Sequence, residues 1–222
     1  SIFSPPYSNL YAYSNSDRDI GNCRSDTEFF EHFNFVIDGL MRITMPGRNV
    51  SVDCMNLPAM KSRDGYIGLK DFRGRLIEAF IARGFIYHSE HVIWKDPLIE
   101  ATRTKAIGLM HKQLCKDSAL SRAGLPQYLL TFRKPGVNVQ PIAHEQGLTE
   151  FIGEDEPTEG NLSHNRWRKY ASPVWMDIRS SRTLNYRGGR DDDDERHICP
   201  MALDIIERGI ELWSNPGDIV FD

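Results

Sequence analysis

Helices and short strands alternate along the first 94 residues, and this alternation limits most strongly what the chain can fold into. A helix is predicted from Ser25 to about residue 45, a strand at 49–55, a second helix at 69–83 and a longer strand at 86–94. Elements that alternate at this spacing form βαβ units, in which helices cover a mostly parallel sheet. We therefore predict an α/β fold.

The two predicted helices have clear boundaries and apolar faces. Ser25 and Glu28 form a capping box, Pro46-Gly47 ends the first helix, and Gly84 is the expected C-cap of the second. Apolar residues recur at helical spacing in both helices. The residues expected to face the core are Phe29, Phe33, Val36, Ile37 and Leu40, followed by Phe72, Leu76, Ile77, Phe80 and Ile81.

The second half of the chain is less regular. We predict a helix at 101–115, although Gly108 weakens it, and a strand at 128–133. Pro200 suits the first position of a final helix, because its missing amide would be unpaired there. A last buried strand is expected at 218–222. The inward side chains of the final helix are Leu203, Ile206, Ile210 and Trp213.

Composition excludes several classes of protein. A net charge of −4 over 222 residues predicts no general affinity for polyanions, so any nucleic-acid surface must be local. The four cysteines are far apart and form no metal-binding or disulfide pattern. No apolar run is long enough to span a membrane. We expect a cytoplasmic protein with reduced thiols and without a metal.

The motif Ser4-Pro5-Pro6-Tyr7 follows the apolar pair Ile2-Phe3, where a buried strand is expected to end. Two prolines fix the backbone and remove two amide donors, so the loop is stiff and offers carbonyl acceptors. A tyrosine beside such acceptors can stack on a flat ligand. Taken alone, the motif favours a Pro-Pro turn that carries a packed tyrosine, because short motifs have many accidental matches.

Residues 160–190 carry seven basic side chains against one acid, Asp177, in a chain that is acidic overall. Two tryptophans and two tyrosines lie among them. Arginines interleaved with aromatics are typical of surfaces that bind phosphates and stack on bases. A solvated basic segment paired with the acidic run at 191–195 is the alternative. Our candidates for DNA contacts are Arg166, Arg168, Lys169, Arg179 and Arg182.

Several further short motifs occur in a fixed order after Ser4-Pro5-Pro6-Tyr7. They are Met45-Pro46-Gly47, Trp94-Lys95, the run from Tyr128 to Lys134, His197-Ile198-Cys199-Pro200, and the run from Asn215 to Asp222. In this order the motifs resemble the DNA methyltransferases that methylate cytosine N4 or adenine N6 with S-adenosylmethionine (SAM). Because the Pro-Pro-Tyr motif comes first, the chain is similar to the permuted β group of that family.

The resemblance implies a Rossmann-like methyltransferase fold, circularly permuted, with a hairpin of the last strands and an irregular target-recognition insertion. It implies a catalytic core whose first part is residues 1–136 and which continues at residues 196–222. Residues 137–195 between these two parts would form the target-recognition region. A Phe-x-Gly-x-Gly cofactor loop would follow Asp222 in the β group. Its absence leads us to expect that the chain is incomplete and that this fragment alone can be inactive.

The resemblance also assigns roles to the first motif. Ser4, Pro5, Pro6 and Tyr7 would form the catalytic loop. The Ser4 hydroxyl and the Pro5 carbonyl would accept the N–H groups of the target amine and stabilise its developing positive charge. Tyr7 would stack on a base flipped out of double-stranded DNA. Serine at the first position resembles the cytosine N4 enzymes more than the adenine N6 enzymes.

The cofactor pocket is implied to lie near His197, Ile198, Pro200 and Asp222. Each has a simpler explanation, because Pro200 can merely start a helix, His197 can cap it, and Asp222 can be an exposed chain end. A bacterial or phage-encoded protein is expected from the family. The sequence leaves open a homodimer, a restriction partner, and the alternatives of an RNA or protein-amide methyltransferase and of a non-catalytic DNA-binding fragment.

Overall fold

The computed structural model describes residues 1–145, 147–148, 162–184 and 200–222. Five strands form the main sheet in the order β1-β2-β6-β5-β7, and β3 and β4 form a separate hairpin. The strands are β1 Ile2–Phe3, β2 Asn49–Cys54, β3 Leu57–Ala59, β4 Gly68–Lys70, β5 Ile86–Ile93, β6 Gln127–Arg133 and β7 Val174–Trp175.

Four of the five strands of the main sheet run in one direction. β1 pairs with β2 in parallel and β5 pairs with β7 in parallel, whereas β6 lies antiparallel between β2 and β5. Since β2 and β5 are both antiparallel to β6, they point the same way. The carboxyl ends of β1, β2 and β5 therefore lie at one edge of the sheet, which we call the carboxyl edge.

Helices cover both faces of this sheet. They are α1 Asp26–Ile43, α2 Lys61–Asp64, α3 Phe72–Ala82, α4 Pro97–Thr104, α5 His111–Leu114, α6 Leu162–Ala171 and α7 Leu203–Trp213. Side chains of α1 and α3 form the larger core with Val50, Val52 and Cys54 of β2. Ile205 of α7 forms the smaller core with Ile2 and Leu129 on the other face. The predicted α/β class is confirmed.

The centre of the larger core is aromatic. Phe80 of α3 is completely buried and stacks on Phe132 of β6, with ring centroids 4.0 Å apart. It also meets Phe33 of α1 and Phe85. Because these residues come from two helices, a strand and a connection, this stack fixes how the layers pack.

The first predicted helix is confirmed and the second begins later than expected. The Ser25 hydroxyl accepts the Glu28 amide, as the capping box requires. The second helix starts at Phe72 because the Asp71 carboxylate caps it, while residues 68–70 pair with β3 instead. Two side chains expected in the core, Val36 and Ile81, are 41% and 51% exposed.

The predicted helix at 101–115 is divided into shorter pieces. α4 begins earlier, at Pro97, and ends at Thr104, because its C-cap Lys105 has a left-handed φ of 55°. Single turns of 3-10 helix and α5 follow. The final helix begins at Leu203 rather than Pro200, and it buries Asp204 and Arg208 together with Ile205. Ile210, expected inward, is 40% exposed.

The predicted last strand is not formed as a strand. The amide of Ile2 donates to the carbonyl of Phe221 at 3.3 Å, so residues 220–221 lie beside β1 on the side opposite β2. One backbone hydrogen bond does not make a ladder, and Ile219 is 99% exposed. The expectation of burial was wrong for this segment.

Candidate active site

The motif Ser4-Pro5-Pro6-Tyr7 leaves β1 at the carboxyl edge, as predicted. Phe3 is the last paired residue of β1 and pairs with Val52, so Ser4 follows β1 at the edge where Asp53 lies in β2. Side chains alternate between faces along a strand, and Asp53 therefore lies on the face of β2 opposite Val52 and Cys54, the face that α7 covers. The Ser4 side chain is half-buried and forms no hydrogen bond with the described part of the chain. A ligand can therefore bind this hydroxyl without displacing a described partner.

A tight turn holds the end of the motif. Ser8 is completely buried with φ of 51°, a left-handed conformation that costs energy in a residue other than glycine. Its hydroxyl donates to Asp26 at 2.5 Å, and its amide donates to the carbonyl of Pro6 at 3.0 Å. The first turn of α1 thus fixes the backbone that carries the motif.

The long polar loop after the motif, residues 8–24, has a defined arrangement. The Asp19 carboxylate accepts the amides of Tyr13, Ser14 and Gly21 at 2.8 to 2.9 Å. Leu10, Tyr11 and Ile20 pack against the larger core. The loop is therefore folded onto the protein next to the motif.

Tyr7 is buried, in contrast to the open stacking platform that the sequence indicates. Only 6% of its surface is exposed, and its ring meets the ring of Phe72 edge to face at a centroid distance of 6.3 Å. A base could stack on Tyr7 only after the neighbouring loop moved. The stacking role stays a prediction.

Asp53 is the functional candidate that reasoning from the sequence missed. It is 1% exposed, its Oδ2 accepts a hydrogen bond from Gln127, and its Oδ1 has no partner among the described residues. Burial raises the pKa of Asp53 to about 7, against the opposing effects of Gln127 and of the positive charge of Lys95. A carboxyl group with this pKa can accept and release a proton near neutral pH.

A signal for Asp53 was present in the sequence. Asp53 lies in the strand Asn49–Cys54, in which Val50, Val52 and Cys54 are apolar and buried. A buried acid in such a strand costs free energy unless something compensates it. Its position beside the first motif could be found only from strand order and register.

Most of the predicted DNA-contacting cations form ion pairs within the protein. Arg166 bonds to Glu211, Lys169 lies 2.7 Å from Asp177, and Arg179 lies 2.7 Å from Asp204. Arg182 binds both Asp204 and Glu207. Most of these contacts attach the segment to α7. Arg168 is exposed and makes no ion pair with the residues that the structure describes.

The residues proposed for the cofactor are only partly described. His197 and Ile198 lie outside the described residues, and Pro200 is half-buried three residues before α7. Asp222 is exposed next to the segment that lies beside β1. Its carboxylate has no partner among the described residues, so it can accept hydrogen bonds from a ligand.

Two further observations bear on the class of protein. Within the described ranges, no group of three or more histidine, cysteine, aspartate or glutamate side chains is placed to hold a metal ion. Among the helices that the structure describes, none combines the length and apolar character needed to cross a bilayer.

Comparisons with known proteins identify the class. A family model described as DNA methylase, N6_N4_Mtase, matches residues 1–222. A comparison with curated protein sequences found no match. The chain resembles solved structures of TTHA0409 from Thermus thermophilus, a candidate DNA modification methylase. The selenomethionine derivative has a TM-score of 0.60 at 15% identity, over 98% of this chain and 67% of that chain.

A second structure of TTHA0409, complexed with S-adenosyl-L-methionine, has a TM-score of 0.59 at 16% identity and the same coverage. The chain thus spans about two thirds of the length of that protein. The likeness supports the Rossmann-like methyltransferase fold expected from the sequence, and the family model covers the whole chain. This chain belongs to the N6/N4 DNA methylase family.

Proposed function

We propose that this protein transfers a methyl group from SAM to the exocyclic amine of a base in double-stranded DNA, with cytosine N4 favoured over adenine N6. The observation that carries the proposal is the placement of Ser4 directly after β1 at the carboxyl edge, the same edge at which β2 holds the buried carboxyl group of Asp53. Membership of the DNA methylase family supports DNA as the substrate.

The chain's own groups suit the chemistry of amine methylation. The lone pair of an exocyclic amine is delocalised into the base, so the nitrogen is a poor nucleophile. The Ser4 hydroxyl and the Pro5 carbonyl are proposed to accept its two N–H groups, which favours a pyramidal nitrogen and stabilises the charge that develops on it. SAM, when bound, supplies the electrophilic methyl group.

Methylation leaves an extra proton on the nitrogen, and Asp53 is proposed to receive it by way of the Ser4 hydroxyl. The relay requires that the Ser4 hydroxyl, on binding of the base, forms a hydrogen bond to Oδ1 of Asp53, which has no partner among the described residues. With SAM bound, the N–C bond would form as the S–C bond breaks, and the electrons of the S–C bond would remain on sulfur. The amine then loses one proton to Ser4 while Ser4 passes its own proton to Asp53. With a pKa of about 7, Asp53 can later release that proton to water.

Cofactor binding is proposed for Pro200 and Asp222, together with His197 and Ile198. The position of Asp222 fits this role, because the segment before it is hydrogen-bonded to β1, the strand that leads into the motif. An exposed carboxylate there can accept hydrogen bonds from the hydroxyl or ammonium groups of SAM. DNA contacts by Arg166, Arg168, Lys169, Arg179 and Arg182 stay part of the proposal, with Arg168 the most accessible of them.

The Ser4→Ala variant tests the assignment of the catalytic loop. We expect it to lower the rate of labelled methyl transfer from SAM to duplex DNA at least tenfold, because one acceptor for the target amine is lost. The full-length protein is assayed beside Ser16→Ala, which changes an exposed serine of the neighbouring loop. Equal rates for Ser4→Ala and wild type, with both folded, would remove Ser4 from the mechanism. Supplying tRNA and ribosomal protein beside DNA tests the substrate class.

A further inference from the structure

The connection between β5 and β6 carries exposed cations that the mechanism above does not use. We call residues 97–125 the lobe; they contain α4, α5 and two turns of 3-10 helix. The lobe has five basic side chains against two acids, whereas the whole chain has a net charge of −4. It therefore concentrates positive charge in a protein that is acidic overall.

Four of these cations have no carboxylate partner within residues 1–145, 147–148, 162–184 and 200–222. Arg103, Lys105, Lys112 and Lys116 are exposed, and none forms an ion pair with any residue that the structure describes. By contrast, Arg122, the fifth cation of the lobe, bonds to Glu100 at 3.1 Å. These four cations can therefore bind an external anion without breaking an ion pair to the described part of the chain.

The acids of the lobe are engaged in holding its own backbone. Glu100 binds Arg122 and also accepts the amide of Leu125 at 2.7 Å. Asp117 caps the turn of 3-10 helix Ser118–Leu120 by accepting the amide of Ala119 at 3.1 Å. The negative charges thus have structural roles, while the positive charges face solvent.

Exposed apolar side chains lie among these cations. A protein surface without a binding role carries few clustered large apolar side chains. A groove of DNA offers sugars and base edges to which such side chains bind. The ones in the lobe are Leu98 at 72% exposed, Ile99 at 67%, Ile107 at 58%, Leu114 at 57% and Leu120 at 51%.

The lobe is placed correctly for a substrate that reaches Ser4. It begins just after β5, whose carboxyl end lies at the same edge of the sheet as Ser4. β5 is three strands from β1 in the sheet, which corresponds to roughly 14 Å. This separation is comparable with the width of the major groove, about 12 Å. One duplex can therefore contact the lobe while one of its bases reaches the motif.

We propose that the lobe is a binding surface for the phosphate backbone of duplex DNA, with Arg103, Lys105, Lys112 and Lys116 as its phosphate contacts. The proposal rests on the proposed function, because it takes the substrate of the same site to be DNA. It assigns the main electrostatic contact to the lobe rather than to the segment 166–182, where four of the five candidate cations already bind carboxylates.

The test is the salt dependence of duplex binding by the full-length protein, measured without SAM by fluorescence anisotropy. Two double variants, Arg103→Gln with Lys105→Gln and Lys112→Gln with Lys116→Gln, each remove two phosphate contacts. Each is expected to make the slope of log K against log salt concentration shallower by about 1.8 and to weaken binding at 0.1 M salt by on the order of 10-fold to 100-fold.

The matched control is Arg42→Gln with Arg83→Gln, which removes the same charge from the opposite edge of the sheet, at the ends of α1 and α3. Its slope is expected to equal that of wild type. Equal slopes for both lobe variants and wild type, or an equal loss in the control, would overturn the proposal. So would unchanged DNA binding together with dissociation of a dimer, because the lobe would then be a contact between copies of the chain.

The measurement separates this proposal from the proposed function. A protein that binds DNA through the lobe but transfers no methyl group would support the lobe and contradict the reaction. Methyl transfer with an unchanged salt slope in the lobe variants would support the reaction and contradict the proposal for the lobe. Melting temperatures of all variants confirm that a loss of binding is not a loss of folding.

Discussion

Replacement of Asp53 with asparagine is expected to raise the free energy of unfolding at pH 8 by about 4 kcal/mol and to lower methyl transfer at least tenfold. The stability gain follows from the pKa of Asp53, which burial raises from 3.8 to about 7. Asparagine has nearly the same shape and carries no charge to bury.

The sign of the pH dependence follows from proton counts. Between about pH 4 and pH 7 the unfolded chain has an ionised Asp53 while the folded protein keeps it protonated. The folded state therefore binds more protons, so its stability falls as pH rises, by about 1.4 kcal/mol per pH unit. Above pH 7 this contribution is constant, and in Asp53→Asn it is absent.

Chemical denaturation at pH 4 to 8 measures this difference. Asp38→Asn is the control, since the side chain of Asp38 is 53% exposed on α1 and its replacement should leave the pH profile unchanged. A wild-type profile that matches Asp53→Asn across this range would show that Asp53 does not hold a proton at neutral pH. Full activity in Asp53→Asn would contradict its role as proton acceptor.

Replacement of Phe80 with alanine is expected to lower the free energy of unfolding by about 3 to 5 kcal/mol, the usual range for a buried phenylalanine. The change removes the ring that stacks on Phe132 and meets Phe33 and Phe85. Because these partners come from different layers of the fold, the cavity cannot close through the movement of one helix.

Ile81→Ala is the matched control for Phe80→Ala. Ile81 is the next residue of α3 and is 51% exposed, so its truncation should cost less than about 1 kcal/mol. Urea denaturation of both variants at one pH gives the comparison. Similar losses for the two would mean that the aromatic stack does not hold the layers together.

Features determined by neighbouring residues could be predicted from the sequence. The start of α1 at Ser25 depends on a hydrogen bond to Glu28, only three residues away. The placement of the motif after β1 depends on an apolar pair followed by two prolines. The family resemblance rests on motifs of this local kind, and the match over residues 1–222 supports it.

Features determined by distant contacts could not be predicted in this way. Asp53 lies at the same edge of the sheet as Ser4 only because β2 pairs with β1, and its Oδ2 meets Gln127, 74 residues away. Arg179 and Arg182 looked available for DNA, but α7 supplies the acids that bind them. Local composition cannot reveal which charges fold back onto the protein.

The identity of the methylated base tests the central claim most directly. Duplex DNA incubated with full-length protein and SAM can be digested to nucleosides and analysed by mass spectrometry, with Ser4→Ala as the control. We expect N4-methylcytosine in the wild-type sample and at least tenfold less with Ser4→Ala. A methyl group on cytosine C5, or no methylated base with a protein that binds both DNA and SAM, would contradict the account.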